Sequence, residues 1–432
     1  MVCLVHFIPV LLFILLFVGS GIYFSSNNIA NAFYQISPLT AIIPSIALGW
    51  ILHKGSTKER MDAFLDGVRH RDIITMCIIF LLAGAFSETT KAIGSVDATV
   101  NLALTLIPSQ FFLIGIFISA AFISMAIGTS MGTIATITPI AAALSAQAGS
   151  STILGVATVV GGAMFGDNLS IISDTTIAAV MSQEADMKAK LKINAKIALI
   201  ASMLTLPLLF LHTCKGSFVV TGEYSLLLVS PYVVLILLAI FGVNIFISLV
   251  ASIAYAGIVG FINDNHHDLL FLSNNITAGF TSMHEIMLLS LMVGGLSGLA
   301  SKGAKELTNY LSSWIAKLQG GSKMAQLFIA KIVSVFDLLL ANNTIAIIFS
   351  GETARNIAKK HHIPAHYSAA WLDIFSCVFQ GIIPYGAQIL LASAIAGVSP
   401  LAITPHVYYC YILGIVAVLY IMFIKIERNP KL

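Results

Sequence analysis

Charge is what this chain has least of. Only 9% of its 432 residues are Asp, Glu, Lys or Arg, against roughly 25% in an ordinary soluble domain. With 58% hydrophobic residues and a mean hydropathy of +0.95, the composition excludes a soluble globular domain and describes a polytopic membrane protein. Cysteine is sparse as well. Cys3, Cys77, Cys214, Cys377 and Cys410 stand singly, with no CxxC pair and no zinc-like spacing, so they read as small buried apolar residues. His284 and Glu285 lack the second His of HExxH, which removes a zinc protease, and no Walker A run is present, which points to an ion gradient as the energy source. No nucleophile and base recur at matched depth, so an enzyme is not expected. A net charge of +3 carries no sign of nucleic-acid binding. The run VCLVHFIPVLLFILLFVGSG has the length of a signal peptide but no basic start or cleavage box, so it reads as an uncleaved first span.

What is present is a set of long apolar segments, near 4–24, 36–53, 72–92, 151–181 and 193–213, with a Gly/Ser/Thr-interrupted stretch at 109–147. The middle of that stretch, SMAIGTSMGT, is small and polar, which predicts a re-entrant hairpin. Residues 93–108 form a short amphipathic piece at the interface. The same order then recurs. Segments near 231–243, 245–262 and 285–301 are followed by an interfacial stretch at 302–320, a second hairpin at 323–358, a second interrupted span at 367–396 and a last span at 406–425. The spacing is an internal repeat of roughly 210 residues, taking 1–213 as the first unit and 214–432 as the second.

Lys and Arg placement orients the chain. With the loops 53–72 and 182–196 in the cytoplasm, alternation also puts 302–323, 352–362 and the tail 425–432 there. Every Lys and Arg then lies on the cytoplasmic side except Lys91, Lys215 and Lys331, the last in a hairpin arm. Each repeat has an odd number of crossings, so the second must be inverted relative to the first. The expected fold is all-α, with about ten transmembrane helices in two inverted repeats, each holding a re-entrant hairpin and a broken helix. Both termini are expected in the cytoplasm, in the inner membrane.

Two aspartates interrupt the apolar run Gly161–Thr176, GGAMFGDNLSIISDTT. An Asp at the centre of a span costs about 2.5 to 3.5 kcal/mol on insertion scales, which makes Asp167 and Asp174 functional-site candidates. Gly161, Gly162 and Gly166 with Asn168, Ser170 and Ser173 predict a break here, whose freed carbonyls could act as ligands. The plainer alternative is a polar packing seam between helices. Four polar motifs would converge at the midplane: the hairpin tips Gly128–Thr133 and Ala341–Thr344, and the breaks Asp167–Thr176 and Asp373–Gln388. Their carboxylate, hydroxyl and amide oxygens suit a hard cation. Asp337 follows Lys331 by six positions, which reads either as a charge-compensated hairpin arm or as simple neutralisation. His361, His362 and His366, interrupted by Pro364, and His266 and His267 beside Asp264 and Asp268 read as solvated loop residues.

GDNLSIISDTT at 166–176, ANNT at 341–344 and SAAWLDIFSCVFQGIIPYGAQ at 368–388 resemble the NhaC-type sodium/proton antiporter family over most of the chain. Asn168 stands where the commoner pattern has a basic residue, and Ile172 where it has a proline. The resemblance implies a cytoplasmic-membrane cation/proton antiporter of the ion-transporter superfamily. It makes Asp167 and Asp174 the leading carboxylates, with Asn168, Ser170, Ser173, Thr175 and Thr176 beside them and Asp373, Ser376, Gln380 and Gln388 as second-half counterparts. Thr129, Ser130, Asp337, Asn342, Asn343 and Thr344 complete the expected ion- or substrate-binding set, with Asp167, Asp174 and Asp373 toward sodium. No cofactor is expected beyond the transported Na+ and H+. The expected partners are membrane lipid and a monovalent cation, with a homodimer left open. The alternative function is a Na+- or H+-coupled carrier of an amino acid or small organic acid, held by the Asn-Asn-Thr tip and half-helix N-termini.

Overall fold

The computed structural model describes residues 5–27, 35–106, 108–147, 149–171, 173–212, 225–241, 243–264, 268–315 and 321–423. Among them every regular element is helical. The expected tail 425–432, the His266–His267 pair, Cys3, Cys214, Lys215 and the end of the interfacial stretch at 316–320 lie outside the described residues.

The first half opens with α1 (Ile8–Ser26) and α2 (Pro38–Leu52). The polar loop then folds into α3 (Thr57–Val68), started by a capping box in which Ser56 and Glu59 exchange hydrogen bonds. α4 (Arg71–Ala92) and the short α5 (Ser95–Leu106) lead to the first hairpin, α6 (Phe112–Ile127) and α7 (Ser130–Gln147). The broken helix follows as α8 (Thr152–Leu169) and α9 (Asp174–Gln183), and α10 (Met187–His212) closes the half. The second half has α11 (Leu226–Ile240), α12 (Ile245–Asn263) and α13 (Leu269–Ile315), which runs unbroken for 47 residues and takes in most of the stretch expected to lie at the interface. The second hairpin is α14 (Ser322–Leu340) and α15 (Asn343–Lys360), the second broken helix α16 (Ala365–Gln380) and α17 (Ala387–Ala396). The short α18 (Pro400–Ile403) and the apolar α19 (Tyr408–Phe423) end the described chain.

Among the described residues five stretches are long and apolar enough to cross a membrane: Ile73–Ala92, Thr152–Gln183, Met187–His212, Ile245–Asn263 and Leu269–Ser301. A sixth forms if Ala387–Ala396 and Pro400–His406, bent by 106°, count as one. Shorter apolar helices, among them α1, α2, α6, α11 and α19, surround them. One buried apolar core takes in residues from both halves, and large side chains such as Leu15, Ile51, Leu211 and Phe423 lie exposed on the outside, as lipid-facing residues do.

The first break falls later than the glycines suggest. α8 runs as helix through Gly161, Gly162 and Gly166 and ends at Leu169, so Ser170, Ile171 and Ser173 are the described residues between it and α9. The glycines serve close packing instead. A Cβ at Gly162 would meet the Phe117 carbonyl oxygen at 2.5 Å, and one at Gly166 would press on the Ala121 carbonyl of α6. Small residues let membrane helices approach at backbone distance, and here they seat the break against the first hairpin.

Candidate functional site

Both hairpin tips turn at a left-handed residue. Gly128 takes the left-handed conformation that stops α6, with φ 76°, and Ala341 does the same for α14 with φ 51°. Asn342 then caps α15 by accepting from the Ile345 N–H at 2.9 Å. At the first break, Ser170 caps α8 and donates its hydroxyl to the Met125 carbonyl at 3.0 Å. Ser173 stands at the N-cap of α9, but its hydroxyl does not cap. It donates to Asp167 Oδ1 at 2.6 Å.

Asp167 is the centre of the arrangement. It is 3% exposed, and its second oxygen accepts from Ser130 Oγ of the first hairpin tip at 3.0 Å. Thr175 Oγ1 lies 2.9 Å from Ser173 Oγ. Beside these groups is a cavity of about 80 Å³, lined also by Asp174, Thr129 and Gly128 from the first half and by Asn342, Asn343, Thr344, Gln380 and Gln388 from the second. Asp174 lines it from an exposed position. The halves are joined by amides: Gln380 Nε2 donates to Gln388 Oε1 at 2.6 Å, and Gln388 Nε2 donates to Ser130 Oγ at 3.3 Å. Among the described residues no Lys, Arg or His forms an ion pair with Asp167.

Asp373 is placed differently. It is fully buried, outside the cavity lining, and its Oδ2 lies 2.5 Å from Lys190 Nζ. Lys190 also donates to Thr176 Oγ1 at 2.8 Å, and Asn194 Nδ2 donates to the same Asp373 oxygen at 2.8 Å and to the Asn168 carbonyl at 3.1 Å. Three expected ligands, Asp373, Thr176 and Asn168, are thereby drawn into a buried ion pair. Ser376 donates to the Asp373 carbonyl within its own helix, at 2.9 Å. The stretch 182–196, expected as a cytoplasmic basic loop, is not all exposed. Only part of it is: Lys188, Lys192 and Lys196 are exposed on α10 while Lys190, Asn194, Ile197 and Ala201 form its buried face. The i, i+4, i+7, i+11 spacing was the available signal.

The Lys331–Asp337 pairing does not form. Lys331 is exposed and Asp337 is 0% exposed, because six residues on a helix lie about 240° apart, far from one face. Among the described residues no side chain hydrogen-bonds the Asp337 carboxylate, which faces the Gln380 backbone. Cys77, Cys377 and Cys410 are free and buried, in line with their reading as apolar residues. His361 and His362 lie at the turn between α15 and α16, with His366 half-buried at the start of α16. Among the described residues no group of three His, Cys, Asp or Glu side chains could hold a metal ion. The oxygen donors that line the cavity beside Asp167 suit a hard cation.

Two hairpins whose tips meet two broken helices over a buried carboxylate define a multi-pass membrane protein built as transporters are built. The Na+/H+ antiporter family model matches residues 1–213. The Na(+)/H(+) antiporter NhaC of Bacillus subtilis (strain 168) is 23% identical over 420 residues, spanning 90% of this chain and 91% of that protein. The malate-2H(+)/Na(+)-lactate antiporter of the same organism is 28% identical over 170 residues, 39% of this chain and 35% of that one. A crystal structure of the Alcanivorax borkumensis YdaH transporter, described as having an unusual topology, aligns over 96% of this chain and 98% of its own, at 11% identity and a TM-score of 0.47. The resemblance read from the sequence is thereby supported: the first 213 residues match the Na+/H+ antiporter family model, and the chain as a whole is similar to NhaC.

Proposed function

We propose that the protein is a secondary antiporter that exchanges cytoplasmic Na+ for external H+ at Asp167. One observation carries the reading: Asp167 is buried, unpaired with any described basic side chain, and borders a cavity with room for an ion and little else. A carboxylate at that depth is costly as a bare charge. It is neutralised by a proton or by a cation, and one occupant excludes the other. Ser130 and Ser173 now donate to it; by turning their lone pairs to the cavity, the same hydroxyls would complete an oxygen shell for Na+. Asp174, Thr175 and the tip residues lie close enough to the cavity to add further oxygens. Residues 1–213 and 214–432 act in this reading as inverted units that open the site alternately to either face, with both termini in the cytoplasm of an inner-membrane protein. Lipid and a monovalent cation are the partners it requires, with no cofactor.

The test is transport into inverted membrane vesicles. An imposed Na+ gradient should drive proton movement with no organic solute present, and the apparent Na+ affinity should weaken as pH falls, since protons then hold the carboxylate. Asp167→Asn should abolish exchange in a protein that still inserts, because removing a charge from the bilayer adds no insertion cost. Unchanged exchange in that variant rules out Asp167 as the site.

The alternative, a coupled carrier of a small organic acid, draws on the malate- and lactate-linked name of one relative and on the N-termini of α7, α9 and α15 at the cavity, which favour anions. Against it stands size. A cavity of about 80 Å³ is well below the roughly 300 Å³ at which organic-ligand pockets begin. Should Na+ move protons only after malate, lactate or an amino acid is added, the carrier reading replaces the antiporter one.

A further inference from the structure

The Asp167 carboxylate has only lone pairs to offer, and that fixes the sense of the hydrogen bonds behind it. Ser130 has one hydroxyl proton and gives it to Asp167 Oδ2 at 3.0 Å, so its oxygen is left to accept from Gln388 Nε2 at 3.3 Å. Gln388 then presents Oε1 to its other neighbour and accepts from Gln380 Nε2 at 2.6 Å. Gln380 Nε2 also reaches the carbonyl of Ala341, the left-handed residue that turns the second hairpin, at 3.5 Å. One chain of donors therefore runs from the second hairpin tip, through both arms of the second break and the first hairpin, to the carboxylate on α8.

One atom is left over. Gln380 Oε1 is buried without a hydrogen-bond partner, in a side chain 2% exposed, so nothing ties that amide to its present sense. With both amides turned over, Ser130 donates to Gln388 Oε1 and Gln388 Nε2 donates to Gln380 Oε1. That oxygen then faces the Ala341 carbonyl, where two acceptors repel and the tip is pushed away. There is room for the turn. Gly386 caps α17 at φ -75°, a conformation any residue adopts, yet a Cβ there would lie 3.3 Å from Gln380 Nε2. Nor does a nearby charge fix the amides. The described cavity lining includes no Lys, Arg or His, Asp174 borders the cavity from an exposed position, Asp337 faces the Gln380 backbone, and Asp373 is held by Lys190. A proton and a sodium ion make opposite demands on this chain. A protonated carboxyl can carry its hydrogen on Oδ1 toward Ser173, and Oδ2 goes on accepting from Ser130. A cation takes a lone pair of the Ser130 oxygen and repels its proton, which turns to Gln388 and needs an acceptor there.

We propose that Gln388 and Gln380 are positioning residues whose amides reverse when Na+ replaces the proton at Asp167, releasing the tip of the second hairpin. This rests on the antiport reading above and gives the hairpin a signal that the proton does not. The experiment measures, on the full-length protein in detergent micelles, bound radioactive Na+ and hydrogen exchange of the backbone amides of 341–346. NaCl is compared at one pH with choline chloride, whose cation is too large for a cavity of about 80 Å³. Na+ should speed exchange at the tip roughly fivefold, the worth of one hydrogen bond. In Gln388→Met, saturating Na+ should still be bound while exchange at the tip no longer follows it, and the maximal rate of antiport in liposomes should fall. If that variant does not fold, Gln380→Met cuts the chain at its other link, and Gly386→Ala hinders the turn with both amides in place; either should uncouple the tip in the same way. Tip exchange indifferent to bound Na+ in the unsubstituted protein, or still responsive once the chain is cut, overturns the inference. If the unsubstituted protein binds no Na+ that Asp167→Asn abolishes, the antiport reading has failed and this one with it.

Discussion

Replacing Lys190 by Met should destabilise the protein far more than replacing Lys190 and Asp373 together. Lys190 and Asp373 are both fully buried, with Nζ and Oδ2 at 2.5 Å, so neither charge has water to fall back on. Coulomb's law for charge centres ~4 Å apart at an effective dielectric of ~20 gives ~4 kcal/mol. Removing one partner of a buried pair usually costs about 3 to 5 kcal/mol, because the other charge is stranded. The two estimates agree. Lys190→Met leaves Asp373 with only Thr176 and Asn194 as donors, and Asp373→Leu leaves Lys190 with Thr176. The double substitution Lys190→Met with Asp373→Leu removes both charges and fills similar volume, and such exchanges are often neutral or stabilising. Unfolding of the three variants in detergent micelles, measured as a double-mutant cycle, should give a coupling of several kcal/mol. The reasoning is refuted if Lys190→Met costs no more than the ~0.5 kcal/mol of a surface change, or if the single effects simply add.

Ser173→Ala removes a 2.6 Å hydrogen bond to the Asp167 carboxylate. Bonds to charged groups contribute about 1.5 to 3 kcal/mol, so half-saturating Na+ in vesicle transport should rise roughly 10- to 100-fold; an unchanged value removes Ser173 from the site. Single cysteines at the exposed positions Ser56 and Lys359 should react with an impermeant thiol reagent only from the cytoplasmic face, and one at Asn274 only from outside. Labelling of Lys359→Cys from outside is incompatible with the inverted-repeat topology.

The hairpins and breaks were legible in the sequence because each interrupts an apolar run with small and polar residues. The expected hairpins at 109–147 and 323–358 correspond to α6–α7 and α14–α15, the broken spans to α8–α9 and α16–α17. Asp167 was legible on the cost of its burial alone. Lys190 was not, because a cluster of four lysines between two spans obeys the rule for cytoplasmic loops, and only helical phase separates the buried one from the three exposed. The ion pair of Asp373 was hidden for the same reason: its partner lies 183 positions earlier, and nothing local announces it. The glycines of α8 were read as a break when they serve close contact, since sequence alone does not say whether a glycine bends a helix or lets another approach.

The longest helix has a consequence for motion. α13 and α4 touch backbone to backbone: a Cβ at Gly84 would press on the Gly279 carbonyl, and a Cβ at Gly279 would lie 2.5 Å from Ala85 Cα. Further along α13, Gly294 and Gly298 meet Gly67 of α3 in the same way, at 3.0 Å or less. Surfaces meshed at glycines cannot slide, since a shift of one turn, about 5.4 Å, would drive side chains such as Phe86 or Met283 into slots that hold none. In the exchange proposed above, α3, α4 and α13 would form the keel of the molecule, the fixed frame against which the hairpins are displaced.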